Sequence, residues 1–237
     1  MEQDDGGRRT LVMIPGLISD DDLFREQVTA LAPEVEVVVS DVSQGASIEQ
    51  MARAALSVAP ERFALAGLSM GGYVVWEVLR QARERVTAVA LLDTSARPDE
   101  PEQTARRLAL VALAQAGRYA DVLDLLWPFE VAPARQTDAA LRARADGMFW
   151  RAGPAVFAQQ QQAVIARPDS RSELAAVDVP ALVLCGRDDA ITPLDGAEEM
   201  AAGISGAELV VLDDCGHLST WERPDEVTGA LRDWLAR

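Results

Sequence analysis

The reactive chemistry available to this chain comes down to one serine, one histidine and a choice of aspartates. Ser69 sits in Gly67-Leu68-Ser69-Met70-Gly71-Gly72, a G-x-S-x-G pattern. The short apolar run Arg62-Phe63-Ala64-Leu65-Ala66 precedes it and reads as a buried strand; Tyr73 to Arg80 follows and continues as a helix. A strand that turns into a helix within a few residues strains the serine backbone and tolerates only small neighbours. That turn would expose the Ser69 hydroxyl at a helix N-terminus, where backbone amides face developing negative charge. A serine hydroxyl is a weak nucleophile near neutral pH and needs a base within hydrogen-bond reach. His217 is the only imidazole in the chain. It lies in Asp213-Asp214-Cys215-Gly216-His217, just past a strand.

A third group must orient that imidazole and stabilise its protonated form. Asp189, its neighbour Asp188 and the more distant Asp93 are the candidates. Acyl transfer also needs two donors for a tetrahedral oxyanion. The amide of Met70, directly after the serine, is one; the amide of Leu17, in the loop after the first strand, is the best-placed second. Nucleophile, acid and base follow one another along the chain in the order associated with G-x-S-x-G hydrolases.

These residues are spaced by a regular alternation of elements. Apolar runs at Thr10–Ile14, Val35–Val39, Phe63–Ala66, Val86–Leu92, Ala181–Cys185 and Glu208–Leu212 alternate with helical patterns. Strands apolar on both faces imply a parallel sheet covered on both sides, with reactive groups at the carboxyl ends of the strands. Between residues 96 and 177 the alternation stops and only helical patterns remain: Thr104–Ala116, Tyr119–Leu126, Thr137–Phe149 and Pro154–Ala166. This segment is expected to be a helical cap inserted after the fourth strand, on a core of residues 1–95 and 178–237. The run Gln159 to Gln162 is expected to be a solvated helix face, and Met1 to Arg9 a frayed, charged tail.

Composition narrows the partners. A net charge of −16 over 237 residues disfavours nucleic acid and anionic membrane surfaces, and an anionic substrate would need a local patch to override the mean field. No apolar run approaches the ~20 residues of a membrane span, and the acidic start does not resemble a secretory leader; a cytoplasmic chain is expected. Two cysteines, Cys185 and Cys215, make no disulfide framework, and a single histidine without Cys-x-x-Cys supplies no metal site. The chain contains no lysine, which removes Schiff-base chemistry.

Taken together, Ile14-Pro15-Gly16-Leu17, the turn at Ser69, Gly186-x-x-Asp189-x-x-x-Pro193 and Gly216-His217 with Glu222-Arg223-Pro224 resemble the α/β-hydrolase superfamily. The likeness is to its small cofactor-free esterases, enol-lactonases, carbon–carbon bond hydrolases and perhydrolases. The resemblance implies an α/β fold of about six mostly parallel strands, without the superfamily's antiparallel leading hairpin. It favours Asp189 over Asp188 as the acid and implies no cofactor and no metal. Many relatives carry His-Gly where this chain has Pro15-Gly16, which keeps the backbone donor. A small, mainly apolar ester or lactone is the expected substrate, with Trp127 and Trp150 of the cap as its contacts; of these two together with Phe129, Met148, Phe149 and Phe157, at least half are expected to fill the cap's own core. Carbon–carbon cleavage or perhydrolysis on the same triad, and a non-catalytic ligand-binding protein of the same fold, are the alternatives.

Overall fold

The computed structural model describes residues 8–237; most of the expected tail, Met1 to Gly7, lies outside the described residues. Six strands form one sheet: β1 (Thr10–Ile14), β2 (Glu36–Val39), β3 (Phe63–Leu68), β4 (Val86–Leu92), β5 (Ala181–Gly186) and β6 (Glu208–Leu212). Their spatial order is β2-β1-β3-β4-β5-β6, and every pairing is parallel. The six-stranded parallel sheet expected from the sequence is therefore present.

Parallel neighbours require crossovers, and the helices supply them. They are α1 (Arg25–Leu31), α2 (Ile48–Val58), α3 (Met70–Ala82), α4 (Pro101–Gln115), α5 (Tyr119–Glu130), α6 (Ala139–Ile165), α7 (Leu194–Gly203), α8 (Ser219–Glu222) and α9 (Pro224–Leu235). Period-two alternation sends Leu11 and Met13 of β1 into one apolar cluster with α1 and α9, and Val12 and Ile14 into the other with α2, α3 and α7. Both faces are covered, so β1, β3 and β5 are buried throughout, whereas the edge strands β2 and β6 are half-buried. Each fully buried aliphatic side chain contributes about 1.5–3 kcal/mol, which favours this register: a slip by one residue would exchange the two faces.

Helices α4, α5 and α6 lie between β4 and β5 in sequence, where only helical patterns were expected. Their apolar residues, among them Val122, Leu141, Met148 and Phe157, join the cluster of α1 and α9. The two helices expected over residues 137–166 abut in α6, interrupted at Gly153 (φ 76°, ψ 174°) and followed by Pro154. Pro154 has no amide hydrogen, so the break forfeits little.

The glutamine run departs from expectation. Gln160 and Gln161 are buried, at 1% and 2% exposure. The Gln160 carboxamide accepts from the amide of Ile18 at 2.6 Å and donates to the carbonyl of Val42 at 3.2 Å; Gln159 donates to the carbonyl of Gly45 at 2.8 Å. Glutamine repeats on a helix look like a solvated face because the side chain is polar. Here they satisfy backbone groups of the two loops beneath α6 that would otherwise be buried without partners.

Candidate active site

Ser69 occupies the turn between β3 and α3 with φ 56° and ψ −119°, a conformation costly for a residue with a Cβ. The surroundings hold it there. Its amide donates to the carbonyl of Leu92 at 3.0 Å, and its carbonyl accepts from the Thr94 hydroxyl at 2.8 Å, so the end of β4 clamps the turn from both sides. The glycines that follow are steric requirements. A Cβ on Gly71 would lie 2.0 Å from the carbonyl oxygen of Ile14, and one on Gly72 would lie 2.3 Å from Thr94 Oγ1.

His217 projects from the loop between β6 and α8. Its Nε2 lies 2.8 Å from Ser69 Oγ and its Nδ1 lies 2.7 Å from Asp189 Oδ2. In the neutral tautomer fitting these contacts, Nδ1–H donates to the carboxylate and the serine hydroxyl donates to Nε2. Asp189, in the loop between β5 and α7, is itself held: Oδ1 accepts from the amides of Ile191 and Thr192 at 2.8 and 2.9 Å, and Oδ2 accepts from the Thr192 hydroxyl at 2.7 Å. The imidazole loop is anchored by Glu222, whose carboxylate accepts from the amides of Gly216 and Ala132, each at 2.9 Å.

Above Ser69 and His217 opens a cavity of about 300 Å³, lined at its floor by Gly16, Leu17 and Met70 and above by residues of α4, α5 and α6. The amides of Leu17 and Met70 make no hydrogen bond among the described residues. An alcohol, a base oriented by a carboxylate, and two unengaged amides thus face one mostly apolar space.

A family model described as "alpha/beta hydrolase fold" matches residues 40–224. The chain belongs to that family. Among solved structures, an esterase from Thermogutta terrifontis is 30% identical, with a TM-score of 0.87, covering 96% of this chain and 89% of that one. An enol-lactonase from Burkholderia xenovorans LB400 is 26% identical, with a TM-score of 0.86, covering 99% and 94%. A 2-hydroxy-6-oxononadienedioate/2-hydroxy-6-oxononatrienedioate hydrolase of Klebsiella pneumoniae is 37% identical over 70 residues, 30% of this chain. That match spans only 24% of the relative's length.

Within this α/β-hydrolase frame the electrostatics are unusual for the amount of buried acid. Burial works against charge on His217, but Asp189, with Glu130 and Asp93 beyond it, outweighs burial and lifts the imidazole to about 9. Asp93, fully buried at the end of β4, is pushed by burial, and then by Asp189, up to about 8. It accepts from the amide of Gly186 at 2.9 Å and shares a short hydrogen bond with the Ser219 hydroxyl. The Asp93 carboxylate is thus engaged by Gly186 and Ser219, and the partner of the imidazole is Asp189. Burial likewise raises Glu130, on the cavity wall, to about 7. Asp188 makes neither a hydrogen bond nor an ion pair with His217, whose ring partners are Asp189, Thr192 and Ser69.

The aromatic residues expected to meet the substrate go elsewhere. Trp127 is buried, donates its indole N–H to the carbonyl of Gln136 at 2.8 Å and carries the Arg142 guanidinium over its ring. Trp150 is 52% exposed and packs edge-on against Tyr119. Neither lines the cavity, and Met148, Phe149 and Phe157 are buried in the core. Of the six large cap residues, at least half of which were expected in the cap's own core, Phe129 alone reaches the cavity, among Leu110, Leu125 and Leu126. The sequence reading missed Glu130, Gln103, Arg106 and Arg107, which also line it. Gln103, Arg106, Arg107 and Leu110 recur at helical spacing on α4, but the polar character of the first three hides a cavity-facing stripe.

Proposed function

We propose that this chain is a serine hydrolase that cleaves a carboxylic ester or lactone of a small substrate through an acyl-enzyme. The continuous hydrogen-bonded line from Ser69 Oγ through the His217 ring to Asp189 Oδ2 carries this reading. Ser69 Oγ attacks the carbonyl carbon while His217 Nε2 takes the hydroxyl proton. The Leu17 and Met70 amides stabilise the oxyanion, and His217 then returns the proton to the leaving alkoxide. A water, deprotonated by His217, attacks the acyl-enzyme and frees the acid. Residues 96–177 act as a cap whose α4 and α5 faces exclude water and select the acyl or ring portion. No cofactor or metal takes part in this scheme, and the partner is a small molecule.

The similarity to an esterase and an enol-lactonase over nearly the whole chain supports ester or lactone chemistry. The shorter match to a carbon–carbon bond hydrolase keeps that reaction on the same three residues as the second reading. A fluorophosphonate probe tests the nucleophile: it should label wild-type protein at Ser69 and leave Ser69→Ala unlabelled. Ser69→Ala should also lose about 10⁴-fold or more in turnover of a 4-nitrophenyl ester with an unchanged circular dichroism spectrum. Turnover surviving in that variant refutes the assignment.

A further inference from the structure

The cavity is lined by an arginine that has no ion-pair partner among the described residues. Arg106, on the exposed rim of α4, enters no ion pair and no hydrogen bond among the described residues, although the chain carries 38 acidic residues. Its neighbour Arg107 is engaged, donating to Asp99 at 2.7 Å and to Gln161 at 2.9 Å. One turn before Arg106, Gln103 uses its carboxamide oxygen to accept from the amide of Glu100 at 2.8 Å. The amide nitrogen of Gln103 has no acceptor among the described residues. Two sets of donors on one face of α4, a guanidinium and a carboxamide N–H, thus point a turn apart toward the same space. A guanidinium fork matches the paired oxygens of a carboxylate. The cavity's acid, Glu130, stands on α5 near His217 rather than on α4, so no lining carboxylate of α4 competes for the Arg106 guanidinium.

From this placement we propose that the substrate carries a carboxylate remote from the scissile bond, held by Arg106 with Gln103 beside it. The local patch reverses the unfavourable mean field of a chain at −16. The inference deepens the proposed hydrolase reading and rests on it for the reaction. The pairing is partly solvated, so its worth is that of a rim contact and falls as salt rises.

Two pairs of esters, each matched in shape and differing in charge, provide the test. In the first, 4-nitrophenyl pentanoate is compared with the 4-nitrophenyl monoester of glutaric acid, placing the carboxylate on the acyl side. In the second, 4-acetoxybenzamide is compared with 4-acetoxybenzoate, placing it on the leaving group. Wild-type enzyme should prefer the charged member of one pair by about fivefold in kcat/KM, mainly through KM. Arg106→Gln should lose that preference, read as the ratio of charged to neutral member within each protein, and 0.5 M salt should erode it in wild type. Equal treatment of both pairs by wild type, or a preference that survives in Arg106→Gln, overturns the proposal, and fluorophosphonate labelling of Ser69 would then show the hydrolase reading still standing. If no ester turns over, calorimetric binding of glutarate decides: binding to wild type and not to Arg106→Gln supports the subsite, and equal or absent binding overturns it.

Discussion

The floor and the roof of the cavity are built on different principles. On the floor, Ser69, Asp189, His217 and the loop at Leu17 each follow the carboxyl end of a strand. Their positions are set by backbone constraints: a positive φ at Ser69, amides closing on Asp189, and a carboxylate pinning the Gly216 loop. The roof is three helices held by side-chain packing and arginine ion pairs, such as Arg167 with Asp99 and Arg144 with Asp22. A floor of this kind admits few substitutions, whereas a roof of packed side chains can change its lining while keeping its shape. The comparison fits a fold shared with both an esterase and an enol-lactonase: on the proposed reading the chemistry belongs to the floor and the choice of substrate to the roof.

The contrast can be broken from the floor first. Asp189→Asn keeps the shape but disturbs the tautomer of His217, and kcat should fall by about 10³–10⁴-fold with little change in melting temperature. A loss under tenfold would mean that Asp93 or another acid does the orienting.

Gln160 is a roof residue bonded directly to the floor loop that carries Leu17, so Gln160→Leu should behave as a floor substitution. It removes the acceptor for the Ile18 amide beside Leu17, in a turn where Ile18 itself has φ 52°. Turnover should drop about tenfold or more in kcat with KM nearly unchanged. A change confined to KM would assign Gln160 to the roof alone.

The pH dependence sharpens the same boundary. His217 works as a base only when unprotonated, and its folded pKa is raised to about 9, so kcat/KM should climb with pH into that region. Stability should run the other way. His217 and Asp93 both hold their protons to higher pH in the folded chain than in the unfolded one, where about 6.5 and 3.9 are usual. The folded state therefore binds more protons between those limits, and stability falls as pH rises. It should decline through about pH 8 for Asp93 and about pH 9 for His217. Asp93→Asn keeps a hydrogen-bonding group at Gly186 and Ser219 and should melt higher than wild type above pH 8, measured by calorimetry. The advantage should shrink toward pH 4.

The smallest effect is expected on the outer roof. Trp150→Ala should alter kcat/KM by less than twofold on any ester, because that ring lies outside the cavity. A larger change would show that packing against Tyr119 reaches the substrate space.

The same division explains what could be read from the sequence. The six strands, their parallel direction and the grouping of Ser69, Asp189 and His217 at strand ends were legible because each depends on local constraints. These are a run of apolar residues, a G-x-S-x-G turn, and a Gly-x-x-Asp-x-x-x-Pro loop. The roof was legible only as helices. Helical spacing shows which residues are apolar but not what they meet, so Trp127 and Trp150 looked like substrate contacts while one is tied to the Gln136 carbonyl and the other lies half in solvent. Gln160 and Gln161 were misread for the converse reason. Their partners, Ile18, Val42 and Arg107, are distant in the chain, and no short-range pattern announces a carboxamide that will be buried.

The Gln160 carboxamide, spanning from Ile18 to Val42, also bears on how molecules enter and leave. A hinged lid swinging away as one piece would tear those two bonds and release the turn that presents the Leu17 amide. Traffic is then better served by small rotamer movements along the exposed margin of α4 and α5, where Leu125, Phe129 and Arg106 stand at the doorway. Turnover in such an enzyme would be nearly insensitive to solvent viscosity, because no large body has to be displaced through the solvent on each cycle.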